Sequence, residues 1–437
     1  MRDAISIRQR LDSIDPNRVT PGLDRIRTLL EALGNPQLSY PTAIIGGTNG
    51  KGSIAAMLTA IVRAAGHRVG VYTSPHLAVL EERLQVGGAR ISAAGLDAQL
   101  GVVFTAADKL IADGRLEEMP SYFEVLTAAA FRYFAEARVE LAVLEVGLGG
   151  RWDATNVTRP RVAVIAPIAL DHEQYLGDDV LAIAAEKAAV IPPGGMAVTA
   201  SQSPAVMKVV RRHAEAVGAT LWESESFPTV VRRNDERLRH TIDCIGRLRD
   251  YVGLEISLPG AHQVENAQCA ILAAEALDRH RLRIGSDAIW AGLRSVQWPG
   301  RCEWLEDSPP IVLDAAHNPA AAHALATYLW ELRRRRAFDR MHLVFATLSD
   351  KDSEGIAEAI YPLADNLIVT QAPTPRATPL EELMAIGAGS TPARRQAIDD
   401  PLDAIAAARQ AAAPEDLICV CGSTYLIGVV RPLLIES

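Results

Sequence analysis

Short runs rich in Val and Ile alternate along this chain with longer stretches in which Ala and Leu recur at helical spacing. The first kind predicts strands and the second predicts crossover helices, and their alternation predicts an α/β fold with a mainly parallel sheet. The early strands expected are TAII (42–45), HRVGVYT (67–73), ELAVLEV (140–146) and PRVAVIAP (160–167). IAAMLTAIVRAAG, between the first two, predicts a helix. From about 227 to 259 the chain is dense in charge with β-like alternation in places, which predicts an antiparallel excursion on the first domain. GAHQVENAQCAILAAEAL then reads as a loop and a helix.

SVQWPGR (295–301) interrupts this rhythm with Trp, Pro and Gly, so the expected domains are 1–297 and 298–437. PPIVLDAAH, RMHLVFATLS, NLIVTQA and DLICVCGS predict the strands of the second, with AAAHALATYLWELRRRR as its clearest helix. No G-x-G-x-x-G follows its first strand, so a smaller Rossmann-like α/β domain without the nucleotide fingerprint is expected.

Composition narrows the function. At 437 residues the chain exceeds the usual size of one core, and its 44 Lys and Arg against 53 Asp and Glu give a net charge of -9. That balance argues against a chain-wide surface for nucleic acid or anionic lipid, so an anionic substrate must be met by local cations. The five cysteines show no CxxC pair or zinc spacing, which predicts buried, reduced thiols in a cytoplasmic protein. No apolar run reaches membrane-spanning length, and the charged N-terminus lacks a signal-peptide core.

Candidate chemistry starts at GGTNGKGS (46–53). It departs from the usual phosphate-loop spelling: Ile45 stands five places before Gly50, and Gly52 separates Lys51 from Ser53. A strand, a glycine-rich turn and a helix nevertheless place backbone N–H groups and Lys51 around one anion-sized space, which predicts triphosphate binding in a P-loop-type domain. With Ser53 displaced, the metal is expected to be held by other residues. Ser74, Glu145 and His172 end or follow neighbouring parallel strands, hence share the edge where the loop sits. A hydroxyl, a carboxylate and an imidazole suit magnesium at phosphate oxygens, although the imidazole is the less typical donor. On pattern alone Lys187, in an Ala-rich helix, reads as a solvated, snorkelling lysine. Asp314 and His317 could reach across a domain cleft or cap a helix, and Asn318 before Pro319 is an N-cap signal. The run Arg333 to Arg336 reads as a solvated helix end.

GTNGKGS, TSPHL, SYFEVLTAAAF, LEVGLGGRWDATN, ALDHEQYLG, AAEKAAVI, PGR, DAAHNP and CGS stand in the order found in folylpolyglutamate and dihydrofolate synthases, within the Mur ligase superfamily. The chain resembles that family over nearly its whole length. The resemblance implies an ATP-dependent ligase that joins L-glutamate to a pteroate or folate carboxylate through an acyl phosphate. It implies that Lys51 and the loop residues Gly47, Thr48, Asn49, Gly50, Gly52 and Ser53 hold ATP, with Asn266, Arg301 and Asp314 near the nucleotide. It assigns Ser74, Glu145 and His172 to magnesium, and a carbamylated Lys187 to a second magnesium, against the snorkelling reading. Lys51, Lys187, Asp314 and His317 are then the catalytic set, and Arg83, Phe123, Arg151, Asp153 and His317 face the substrates. ALDH with SYFE resembles the bacterial bifunctional type, which takes both dihydropteroate and tetrahydrofolate. The expected partners are these small molecules alone, on a monomer. Two departures are Ala189, where the family usually has Gly, and HLAVLEERLQV before the acceptor-side loop. The alternatives weighed are a monofunctional folylpolyglutamate synthase, another Mur-type amino acid ligase, and a P-loop NTPase switch.

Overall fold

The computed structural model describes residues 6–16, 18, 20–387 and 394–436. Three sheets organise it. The first contains β1 (Thr42–Gly46), β2 (Val69–Tyr72), β3 (Leu84–Val86), β4 (Ala89–Arg90), β5 (Leu141–Glu145), β6 (Val162–Ile165), β7 (Met196–Thr199) and β8 (Thr220–Glu223). Their order is β4-β3-β2-β5-β1-β6-β7-β8. The six strands from β2 to β8 run parallel, and β3 and β4 add an antiparallel edge.

Alternation along the strands builds two cores. Ala43, Ile45, Val143 and Val164 point to one face, against helices Lys51–Ala64, His262–Leu277 and Ser286–Ser295. Ile44, Leu144 and Ile165 point to the other, against helices Asp24–Ala32, Ala93–Ala112 and Tyr122–Glu136. With both faces covered, the strands are continuous apolar runs, the signature the sequence carries.

The charged stretch forms β9 (Thr229–Asn234), β10 (His240–Ile245) and β11 (Asp250–Ile256), an antiparallel sheet in the order β11-β10-β9. The third sheet holds β12 (Glu303–Leu305), β13 (Ile311–Asp314), β14 (Met341–Phe345), β15 (Asn366–Val369), β16 (Arg394–Ala397) and β17 (Leu417–Cys421) in the order β12-β13-β17-β14-β15-β16. Only β12 is antiparallel to its neighbour. β12 and β16 lack the Val/Ile runs that mark the other four, so the pattern of apolar residues did not predict them. All five cysteines are buried and unpaired. Among the described residues no helix is long and apolar enough to cross a membrane.

Candidate active site

β2, β5, β1 and β6 are adjacent and parallel, so their C-terminal ends line one edge of the sheet. The glycine loop leaves β1 there, and helix Lys51–Ala64 begins directly after Gly50. Gly50 has φ +86°, and a Cβ built on it would lie 2.4 Å from Asn266 Oδ1. Only glycine suits both the left-handed backbone and this close approach. Lys51 folds back so that Nζ donates to the carbonyls of Thr48 (2.8 Å) and Gly47 (3.2 Å). Burial lowers the pKa of this amine, while Glu145 and Asp171 oppose the shift.

A cavity of about 300 Å³ opens over the loop, lined by residues 48–53, Ser74, Glu145, His172, Asn266, Arg301, Asp314 and His317. A second cavity of about 570 Å³ is lined by Arg83, Phe123, Trp152, Asp153, Tyr175, Lys351 and Arg376, among others. Ser74, Gly147, His172 and His317 belong to both walls. The two cavities therefore meet at the strand ends, with the C-terminal domain closing the junction through His317.

Ser74, Glu145 and His172 all line the smaller cavity. The Glu145 carboxylate is 6% exposed and accepts from Ser74 N at 3.2 Å; burial raises its pKa, with Lys51 opposing. Burial also pushes the His172 imidazole down to about 3, so the ring is neutral. A hydroxyl, a carboxylate with spare lone pairs and a neutral imidazole fit a divalent cation carrying phosphate. Among the described residues no three His, Cys, Asp or Glu side chains cluster as metal ligands. Ser53 is 2% exposed, and its hydroxyl accepts from Gln263 Nε2 at 3.4 Å.

Lys187 is not a solvated lysine. It is 4% exposed, its Nζ donates to the Gly47 carbonyl at 2.9 Å, and burial with the nearby Lys51 charge lowers its pKa to about 7. Its Ala-rich helix packs behind the glycine loop. An amine of that pKa is about half unprotonated near neutrality, and the unprotonated form is the one that reacts with carbon dioxide. Lys187 lies on neither cavity wall, behind Gly47.

Other expected residues have more local tasks. Asp314 borders the first cavity, but its carboxylate accepts from Cys302 N (2.7 Å) and Ala316 N (2.8 Å), bracing the turn that presents His317. Asp153 borders the second cavity and accepts from the backbone N–H groups of Gly147, Leu148 and Thr155 at 2.9–3.0 Å, so it organises the glycine-rich loop from inside. Arg151 is the one expected substrate residue that lines neither cavity: its Nε donates to Glu186 Oε1 at 2.8 Å, and it is Glu186 that lines the larger one. Arg83 donates to His76 Nδ1 at 3.0 Å and lies over the Tyr122 ring, while Phe123 packs against Tyr72.

The sequence reading assigned no task to Asp171. Its carboxylate receives Lys351 Nζ at 2.6 Å and Asn318 Nδ2 at 3.2 Å, with Nε2 of both His172 and His317 at 3.8 Å. Burial would raise its pKa, yet His172, Lys351 and His317 together hold it well below the usual carboxylate range. Asn318 caps its helix through Ala321 N, as the sequence predicts, and also exchanges hydrogen bonds with Asn49 of the glycine loop. Lys351 lies beyond the end of β14, in the turn before helix Ser353–Ile360, so no strand-end position marks it in the sequence.

The chain matches the family model described as Mur ligase middle domain over residues 88–274 and that described as Mur ligase, glutamate ligase domain over residues 300–424. It is 38% identical to the dihydrofolate synthase/folylpolyglutamate synthase of Mycobacterium tuberculosis, across 95% of this chain and 90% of that protein. Among solved structures it resembles Mycobacterium tuberculosis folylpolyglutamate synthase complexed with ADP, with a TM-score of 0.90 at 37% identity, covering 98% of this chain and 97% of that one. Escherichia coli FolC in complex with DHPP and ADP matches with a TM-score of 0.86 at 29% identity, covering 98% and 96%.

Proposed function

The chain belongs to the dihydrofolate synthase/folylpolyglutamate synthase family of the Mur ligases, and from that premise we propose that it joins L-glutamate to dihydropteroate and to tetrahydrofolate, cleaving ATP to ADP and phosphate. The observation that carries this reading is the meeting of two cavities at Ser74, Gly147, His172 and His317. A nucleotide held on the glycine loop delivers its terminal phosphate to that junction, and an acceptor lying in the larger cavity delivers its carboxylate to the same place.

The chemistry needs that convergence. A carboxylate oxygen attacks the terminal phosphorus, ADP leaves, and the resulting acyl phosphate gives the carbonyl carbon a leaving group. The amine of L-glutamate then attacks that carbon, and the tetrahedral intermediate expels phosphate. Lys51 and the loop amides offset charge on the transferred phosphoryl group, where stabilisation counts most. A magnesium ion held by Ser74, Glu145 and His172 would screen the phosphate oxygens, and carbamylation of Lys187 would supply a carboxylate-like ligand for a second. His317 Nδ1 lies 2.9 Å from the Ala315 carbonyl. That oxygen can only accept, so the proton sits on Nδ1 and Nε2 keeps a lone pair for the incoming amine. Burial holds the ring neutral by lowering its pKa to about 4.

The same reading includes a division at 297/298, a cytoplasmic location and a monomer. Its test is incubation with MgATP and L-glutamate plus dihydropteroate, tetrahydrofolate or neither, following phosphate and product mass. Glutamate added to both acceptors is the expected result. Addition to tetrahydrofolate alone would make the enzyme monofunctional, and phosphate release without any acceptor would point to a nucleotide-driven switch instead.

A further inference from the structure

The turn between β9 and β10 leaves the first domain and plants one buried side chain, Leu238, in the second. Leu238, at its tip, is 3% exposed and clusters with Cys302, Leu325 and Tyr328 in the core on one face of the third sheet. The main chain of the turn is held from the same side. Tyr328 Oη donates to the Arg237 carbonyl at 3.2 Å, and Arg335 donates to the Asp235 carbonyl at 3.3 Å and to Asn234 Oδ1 at 2.8 Å. Arg237 lies over the Trp304 ring and pairs with Glu306.

The tip also touches the nucleotide side. Gly260 N donates to the Leu238 carbonyl at 3.0 Å. Gly260 has φ +101°, and a Cβ there would meet the His262 ring at 2.7 Å, so the backbone turns sharply at this contact. Two residues later begins helix His262–Leu277, whose first turns place His262, Gln263 and Asn266 in the wall of the nucleotide cavity. Leu325, a member of the same cluster as Leu238, lines that cavity from the other domain. A short series of direct contacts thus runs from the core of the C-terminal domain, through Leu238 and Gly260, to the helix that carries Asn266.

We infer that Leu238 is a positioning residue for nucleotide binding: by keying the C-terminal domain to Gly260, it holds the start of helix His262–Leu277 in its nucleotide-competent place only while the two domains are docked. A nucleotide that binds the docked arrangement better stabilises it, and by reciprocity loosening the key weakens nucleotide binding. The inference rests on the assignment of the smaller cavity to the nucleotide.

The test compares Leu238→Ala, Leu238→Met and Tyr328→Phe with the wild-type protein by ADP calorimetry, hydrogen exchange at amides 261–266, and steady-state kinetics. Leu238→Ala is expected to weaken ADP binding about tenfold, because a docked state destabilised by a small cavity is less populated. It should speed exchange at 261–266 and raise KM for ATP without a matching rise in KM for the acceptor. Leu238→Met, which refills the space, should restore all three, and Tyr328→Phe should shift them in the same direction by less. Lower thermal stability with unchanged ADP affinity and exchange, or no restoration by methionine, overturns the inference. If Leu238→Ala does not fold, Tyr328→Phe decides alone, and wild-type ADP affinity in that variant overturns it. A wild-type protein that binds no ADP removes the nucleotide assignment and this inference together; ADP binding intact in the wild type and indifferent to the variants removes the inference only.

Discussion

Two buried groups with opposite charge preferences decide the chemistry at the scale of single residues. Glu145 is a carboxylate whose burial disfavours its negative charge, and Lys51, Ser74 N, Arg301 and Arg83 favour it, as would a cation arriving with the nucleotide. Glu145→Ala is expected to lower ligation at least about a hundredfold, the scale of removing one preorganised charge contact at a phosphoryl-transfer site. The fold should stay intact, since the side chain sits at a cavity wall; product mass and a cooperative unfolding curve check the two halves. Lys187 works the other way. Burial lowers its pKa from the ordinary 10.5 to about 7, so the neutral amine predominates above about pH 7 and the ammonium below it. Enzyme stripped of carbon dioxide should therefore recover activity on adding bicarbonate, more completely at pH 8 than at pH 6. Lys187→Ala should be largely inactive, indifferent to bicarbonate and partly rescued by short carboxylates. A wild-type enzyme that ignores bicarbonate at every pH would leave Lys187 as an amine serving Gly47 alone.

Loops at strand ends carry the function at the scale of elements, and what braces them is separable from what they hold. Asp153 gathers the N–H groups of Gly147, Leu148 and Thr155, so Asp153→Ala leaves several donors of a buried loop without an acceptor. The expected loss is about 2–4 kcal/mol of stability, as a few hydrogen bonds to a charged acceptor are removed. KM for dihydropteroate should rise more than KM for ATP, because the loop borders only the larger cavity apart from Gly147. Urea unfolding and paired substrate titrations measure both. The same loops mark where sequence reading succeeds and where it stops. Ser74, Glu145 and His172 were legible because parallel strands present all their C-terminal ends on one edge, whatever the side chains do later. The glycine loop was legible because its spacing is local. The Lys351 to Asp171 ion pair spans 180 positions, and no periodicity links its halves. The turn of Arg151 toward Glu186 likewise depends on how a helix packs beside a loop, and Lys187 was misread by pattern because burial of a helix face is a tertiary fact.

Charge and histidine chemistry join the two domains at the scale of the whole molecule, and acidity should therefore separate them. Asp171 of the first domain is met by Lys351 and Asn318 of the second, Asn49 and Asn318 exchange hydrogen bonds, and His317 stands between them. Folding lowers the pKa of His76 to about 4, of His172 to about 3 and of His317 to about 4, from 6.5. In each case burial is the main cause. Between the folded and unfolded values the unfolded chain binds more protons than the native one, so stability must fall as pH drops from 6.5 toward 4. Asp171, held below the usual carboxylate range, retains its charge through that window and loses its contribution only at lower pH. The urea midpoint is thus expected to decline steadily between pH 7 and pH 4.5. His317→Gln, which cannot take up the proton, should show a shallower decline and lose ligation, since its amide offers no basic nitrogen to the amine. A midpoint that stays level across this range, or a slope identical in His317→Gln, would mean that these imidazoles find water or a proton-accepting partner in the folded state and that the cleft is held by apolar packing instead.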